Sequence, residues 1–347
     1  MGAPMRIALL LAATILAASP ALADHPAPTS VGSGSMNVIA PDTLSRAAWA
    51  GALRLTYTRP DGRSDGELAD LAGEHVHAHD SDYHLNASLG LAYGVTDRLT
   101  VSLNLPYIRH DDLRAGAHSH EGGETINSVE QLGSVAGIGD ATLLAHYKLI
   151  DAPAMVTVIG GLKLPTGGTR ERNNDGERLE AEHQPGTGSV DPIAGASFGT
   201  DLGMFRLTAS TVYQFAGKGA QDTRLGDRAQ AGIALSRRFG PAEDHHEPAE
   251  HHHDEGVGPH EHAPAHGHAS WDAFVELTGE WEGRQKVAGE VEAYSGVKAL
   301  WLTPGARFNS TRGLSVAAAI GIPVAQDIRE SHPENKFRLT LSLGQAF

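Results

Sequence analysis

Histidine is the residue type that most narrows the chemistry open to this chain. Nine of its twenty histidines fall in one stretch: His245, His246, His251, His252, His253, His260, His262, His266 and His268. Glu243, Asp244, Glu247, Glu250, Asp254, Glu255 and Glu261 are interleaved with them. Imidazole nitrogen suits zinc, nickel and copper(II), and nearby carboxylates can ligate the ion or orient the ring. The chain has no cysteine and only five methionines, which disfavours soft copper(I). The spacings match no fixed tetrahedral pattern, so the tract predicts chelation in many registers and no rigid centre. A second cluster, His75, His77 and His79, is flanked by Glu74 and Asp80, and His118 and His120 follow further on. Two other readings stay open: a solvated low-complexity insertion, and a segment whose charge rises below about pH 6.5 as imidazoles protonate. No metal is required by the sequence; zinc, nickel or copper ions are the ones these loops would take.

The elements that would carry such loops are written in alternation. In the closing segment Phe337, Leu339, Leu341 and Leu343 fall on one face with Phe347 in step, while Arg338, Thr340, Ser342 and Gly344 fall on the other. Period two is the mark of a strand with one apolar face. Twelve such segments are expected, near 46–58, 82–94, 98–107, 139–150, 154–165, 190–200, 204–216, 227–239, 270–282, 293–308, 314–323 and 336–347. The tenth is the least regular. Short turns such as Val95-Thr96-Asp97 follow the even-numbered segments. Longer polar loops, near 59–81, 110–138, 166–189, 217–226, 283–292 and 324–335, follow most odd-numbered ones. Most aromatic residues sit at segment ends, Trp49, Tyr93, Trp271 and Phe347 on the short-turn side and Tyr57, Tyr83, Tyr107 and Trp281 on the other. Two rims of unequal loop length with two aromatic bands predict an all-β fold, a transmembrane antiparallel β-barrel of about 12 strands. An even count puts both termini and the histidine tract on the periplasmic side of an outer membrane. The partners expected on this reading are outer-membrane lipid and, through the C-terminal strand, the barrel assembly machinery.

The amino-terminus supports export. Arg6, the apolar run Ile7 to Ala18 and Ala21-Leu22-Ala23 form the three regions of a signal peptide, residues 1–23. That run is too short to span a bilayer as a helix. Residues 24–45, rich in Gly, Ser and Pro, would either tuck into the barrel as a plug or hang in the periplasm. Residues 46–347 then make the barrel, with a His-rich insertion at 241–270. A formal charge of −15 argues against nucleic acid as a partner.

Parity assigns the lumen. Arg54, His84, Asp140, Lys148, Lys163, Arg206, Arg228, Asp272, Glu276, Glu280, Arg307 and Arg338 all point inward, because Arg or Lys facing lipid at mid-depth would cost about 2–4 kcal/mol. Mixed signs predict salt-bridged filling of a narrow lumen. Ser88, Ser102 and His84 share that face, but nothing like Gly-x-Ser-x-Gly surrounds a candidate nucleophile, so no enzyme is expected.

Several short motifs occur in order: Tyr93-Gly94-Val95-Thr96-Asp97-Arg98, Leu105-Pro106-Tyr107, Gly137-Ile138-Gly139-Asp140, Gly161-Leu162-Lys163-Leu164-Pro165-Thr166-Gly167, Gly186-Thr187-Gly188-Ser189 and Thr303-Pro304-Gly305. In this set, across roughly residues 45–347, the chain resembles the outer-membrane transporter-like proteins of the meta-pathway phenol-degradation family. The resemblance implies an outer-membrane barrel that moves small, often hydrophobic molecules. The histidine loops point instead to a channel or transporter-like barrel that binds a divalent transition metal. Metal is the leading expectation, and a conduit for small hydrophobic or aromatic compounds is the alternative.

Overall fold

The computed structural model describes residues 35–121, 124–240, 269–329 and 331–347. The expected signal peptide, residues 24–34 and the histidine tract from His245 to His268 lie outside the described residues. Thirteen long strands build the wall: β1 Trp49–Pro60, β2 Tyr83–Thr96, β3 Leu99–Glu121, β4 Glu124–Ile138, β5 Ala141–Ile150, β6 Ala154–Leu164, β7 Asp191–Leu202, β8 Phe205–Gln214, β9 Arg228–Phe239, β10 Ser270–Glu282, β11 Val297–Asn309, β12 Leu314–Ile328 and β13 Asn335–Ala346. They fill twelve positions, because β5 pairs with the inner half of β3 and β4 with its outer half. Every pairing is antiparallel between neighbours, and β1 pairs with β13 to close the ring. The seam is finished by Phe347, whose N–H donates to the Trp49 carbonyl at 2.9 Å.

The alternation works inside out. Leu53 and Leu341 face outward, each 53% exposed, while Thr56 and Thr340 on the opposite faces of the same strands are 7% and 2% exposed. Apolar side chains on the outside and polar ones within are what a sheet closed in lipid requires. The aromatic bands are present as ring contacts: Trp49–Tyr93 and Trp271–Phe308 at the short-turn rim, Tyr57–Tyr83 and Tyr213–Trp281 at the other.

Three stretches differ from the sequence expectation. Residues 110–138 are not a loop: β3 and β4 continue as a paired hairpin past the barrel wall. Above the membrane neither face meets lipid, and the hairpin's apolar side chains, such as Leu113, Val129 and Val135, pack against α1 and the neighbouring loop, so the period-two contrast that marks a wall strand disappears. Within the expected loop 59–81 lies a helix, α1 Asp65–Gly73. It starts on a capping box in which the Ser64 hydroxyl accepts from the Glu67 N–H and the Glu67 carboxylate accepts from the Ser64 N–H. Leu68 and Leu71 pack with Val76, Ala78 and Val129, which fixes the helix against the hairpin. The irregular tenth segment starts at Val297, and Glu290–Val291 belongs with Lys286–Val287 and Thr223–Arg224 in a small separate sheet at the loop rim.

The lipid-facing assignment predicts that Leu341→Arg destabilises the folded barrel by about 2–4 kcal/mol if Leu341 lies at mid-depth. Guanidinium unfolding in lipid vesicles measures this, and an unchanged midpoint would place Leu341 away from the hydrocarbon core.

Candidate functional site

Residues 35–44 run inside the barrel, and the wall holds them from several sides. On β10 the buried Glu276 carboxylate accepts from the Met36 N–H and from the Asn37 N–H at 2.9 Å and the Asn37 amide at 2.6 Å. From β1, Arg54 donates to the Met36 carbonyl and to Asn37 Oδ1, both at 2.6 Å. Arg307 on β11 donates to the Ser35 carbonyl at 2.7 Å, and Ser210 on β8 accepts from the Ile39 N–H at 2.9 Å. Arg206 pairs with Asp42 at 2.8 Å, and Thr100 accepts from the Leu44 N–H at 2.8 Å. Contacts on β1, β8, β10 and β11 place the segment across the lumen. Apolar side chains complete its fit. Ile39 packs against Leu144, Ile159, Ile193 and Val212, and Met36 against Phe274, Ala317 and Ala319. Gly232 leaves room for it, since a methyl there would sit 2.9 Å from Val38 Cγ2.

The remaining predicted lumen residues are paired around this segment. Arg338 pairs with Glu280 at 2.8 Å and lies over the Trp301 ring at 4.2 Å; the Trp301 indole N–H donates to Glu280 at 3.0 Å. Trp301 was missed in the sequence, although it is in step with the inward Ala299 and Thr303 and parity would have found it. Asp272 pairs with Arg238 and accepts from Asn309 at 2.8 Å. Arg228 pairs with Glu282 at 3.2 Å. Lys148 pairs with Asp151 at the short turn. His84 meets His110 across β2 and β3, with the two Nδ1 atoms 2.8 Å apart. Ser102 faces His146 at 3.4 Å, not His84.

Three of the ordered motifs, each weak alone, converge at one point of the wall where β4 gives way to β5. Asp140 accepts from the Gly167 N–H at 2.9 Å and from the Thr187 N–H and hydroxyl at 2.8 Å. Lys163 bridges Asp140 at 2.8 Å and Asp191 at 3.0 Å, and all three are buried. Gly167 and Gly186 are needed because a methyl on Gly167 would lie 2.6 Å from the Gly186 Cα. Asp191 in turn accepts from the Gly217 N–H and the Gln214 amide, each at 2.8 Å. This cluster clamps the loops 165–190 and 215–227 onto the rim, which is where the turn signals in those motifs originate.

At the outer mouth the histidines separate. His75 and His77 are exposed, and the His75 ring meets His118 at 5.0 Å. His79 is buried and turns to a different set of residues. Its Nε2 lies 3.3 Å from Glu182 and 3.6 Å from Glu180, and its ring packs edge-on against buried His183 at 4.4 Å. Of the three neighbouring histidines, His75 and His77 thus lie at the surface while His79 turns inward beneath the outer loops. Glu180, Glu182 and His183 carried no signal in the sequence, since they lie about a hundred residues from His79. Burial, with His183 beside it, pushes the His79 imidazole down to about 3, so it is neutral at physiological pH. Burial also lowers His183. For Glu182 burial works against the charge, but His183, His332, His79 and the Gln285 amide outweigh it and lower its pKa. An open chamber at this mouth is lined by Glu182, His183, His332, His84, Arg228 and Arg338.

A closed ring with an outward apolar belt and a lumen lined by charged and hydroxyl side chains around one apolar patch defines an outer-membrane β-barrel. Among solved structures, an outer membrane channel from Pseudomonas putida F1 is similar at a TM-score of 0.55 and 18% identity, covering 88% of this chain and 97% of that one. The NanC porin (TM-score 0.40, 6% identity, 85% and 98% covered) and a mutant of the TodX monoaromatic hydrocarbon channel (0.38, 10%, 88% and 90%) are more remote. The first likeness shows the fold; the other two are too distant to add to it. Neither a protein-family model nor a curated protein matches the sequence.

Two substitutions test this interior. Glu276→Ala strips the Met36 and Asn37 amides of their acceptor, a loss of about 1–3 kcal/mol for buried donors left without a partner. The expected result is a larger, noisier conductance in planar bilayers than the parent protein shows. Lys163→Met leaves Asp140 and Asp191 facing each other, and a loss of about 3–5 kcal/mol is expected in vesicle unfolding.

Proposed function

We propose that the protein is an outer-membrane channel for small, largely apolar molecules, with residues 35–44 as its internal stopper. One observation carries this reading. The lumen holds an apolar patch, Leu144, Ile159, Ile193 and Val212, and the stopper covers it with Ile39. A water-filled pore for polar solutes has a polar interior. Inward aliphatic side chains in such a lumen gain by contact with an apolar solute once Ile39 moves aside. The resemblance of the ordered motifs to the meta-pathway phenol-degradation family supports the same cargo class. A second reading, capture or passage of a divalent transition metal, is favoured by the His79–Glu182–His183 group at the outer mouth. The histidine tract His245–His268, which lies outside the described residues, would supply further imidazoles for the same role.

Uptake of a monoaromatic probe such as toluene, compared with a sugar of similar size, tests the conduit in porin-deficient cells. Expression of the protein is expected to raise toluene entry and leave sugar entry unchanged. Replacing Ile159 and Ile193 with Asn is expected to lower toluene entry by about tenfold or more, since one buried aliphatic side chain is worth about 1.5–3 kcal/mol. Equal toluene entry with and without the protein overturns the reading.

A further inference from the structure

We infer that His79, Glu180, Glu182 and His183 form a site for one divalent transition-metal ion, best suited to zinc(II), at the outer mouth. The four candidate ligand atoms lie within 4.8 Å of one another, and no other such group of three or more occurs among the described residues. Their nearest separations, 3.3 Å and 3.6 Å from His79 and 3.6 Å between His183 and Glu182, approach the edges of a zinc tetrahedron. For metal–ligand bonds of about 2.0–2.1 Å those edges are about 3.3 Å.

A second, independent observation points to a ligand. The His183 ring is 4% exposed, yet its Nε2 faces the cluster with no hydrogen-bond partner, and its distance of 3.6 Å from Glu182 is too long for one. Buried polar atoms are otherwise paired, and a metal bond would satisfy this one. Around the four ligands the supporting contacts are those a metal site uses. The Gln285 amide donates to Glu182 Oε2 at 2.6 Å, which leaves Oε1 facing both imidazoles. The His79 N–H donates to the Ser331 carbonyl at 2.8 Å, which fixes the backbone of one ligand. Glu182 and His183 also line the open mouth chamber, so an ion can reach them from outside.

The site would join elements that are far apart in the chain. His79 comes from the connection between α1 and β2, the two glutamates and His183 from the loop between β6 and β7. Gln285 comes from the connection between β10 and β11. A bound ion would therefore hold the outer loops over the chamber. Two imidazoles and two carboxylates suit zinc, nickel and copper(II) more than calcium or magnesium, which take oxygen alone.

The test uses the full-length mature chain refolded in detergent and freed of metal, with all nine tract histidines, His245 to His268, replaced by serine to remove competing chelation. This protein is expected to bind one zinc(II) per barrel. It should also bind one cobalt(II) with the visible absorption of a tetrahedral centre. Adding His183→Ala or Glu182→Gln is expected to weaken zinc binding at least about tenfold, the lower end of what even a supporting residue costs a metal site. Adding His75→Ala should leave it unchanged. Heat-modifiable migration on gels confirms that each variant is folded. Zinc X-ray absorption of the serine-tract protein, at one equivalent and with the four ligands intact, is expected to show two imidazoles per ion. A folded serine variant that binds no zinc, or zinc affinity unmoved by His79→Ala with His183→Ala, overturns the inference.

Discussion

Every backbone group that crosses lipid must find its hydrogen bond within the protein, and a sheet can do this only by closing on itself. The pairing of β1 with β13, from Ala50↔Ala346 to Pro60↔Asn335, is that closure. The rest of the structure follows from it. Closure turns one face of every wall strand to hydrocarbon, so leucines such as Leu53 and Leu341 stand outside. The opposite face is enclosed, and charged and hydroxyl side chains are buried there among themselves.

A lumen filled with charge is stable only when the charges are paired. β10 shows how this is arranged. Asp272, Glu276 and Glu280 recur every four residues along its inner face, about 13 Å apart by strand geometry. Each has a different partner: Arg238 and Asn309 near the short-turn rim, the backbone of residues 36–37 in the middle, and Arg338 with Trp301 toward the mouth. The middle carboxylate therefore joins the wall to the segment inside it. The apolar contacts of Ile39 and Met36 add a second, separable grip on the same segment. Residues 35–44 are thus held both by polar bonds to the wall and by an apolar patch.

The two rims are unequal. At the short-turn rim β9 and β10 pair down to Phe239↔Trp271. At the mouth, the hairpin of β3 and β4, helix α1 and the clamp of Asp140, Lys163 and Asp191 hold the loops in a fixed arrangement. That fixed arrangement turns a scattered set of His and Glu residues into a compact group. It also explains why the exposed His75 and His77, although adjacent in sequence to His79, take no part in it.

Much of this was legible in the sequence. Alternation placed all twelve wall positions, the aromatic residues marked both interfaces, and parity turned Arg54, Glu276, Glu280, Arg307 and Arg338 inward. These properties depend on each residue's own relation to lipid or lumen, so a local pattern records them. Where the lipid contrast is absent the pattern was silent, and the outer hairpin at 110–138 and helix α1 were read as loop, even though Ser64 and Glu67 carry a capping box. The contacts of residues 35–44 across the lumen, the meeting of three distant motifs at Asp140, and the assembly of His79 with Glu182 and His183 were decided by tertiary structure alone. Each depends on which residues a closed ring brings opposite one another, and that is set by strand register and loop packing over separations of up to 272 residues. The sequence by itself determined the barrel and the direction of its side chains; only the closed fold decided what fills the lumen and which histidines share a site.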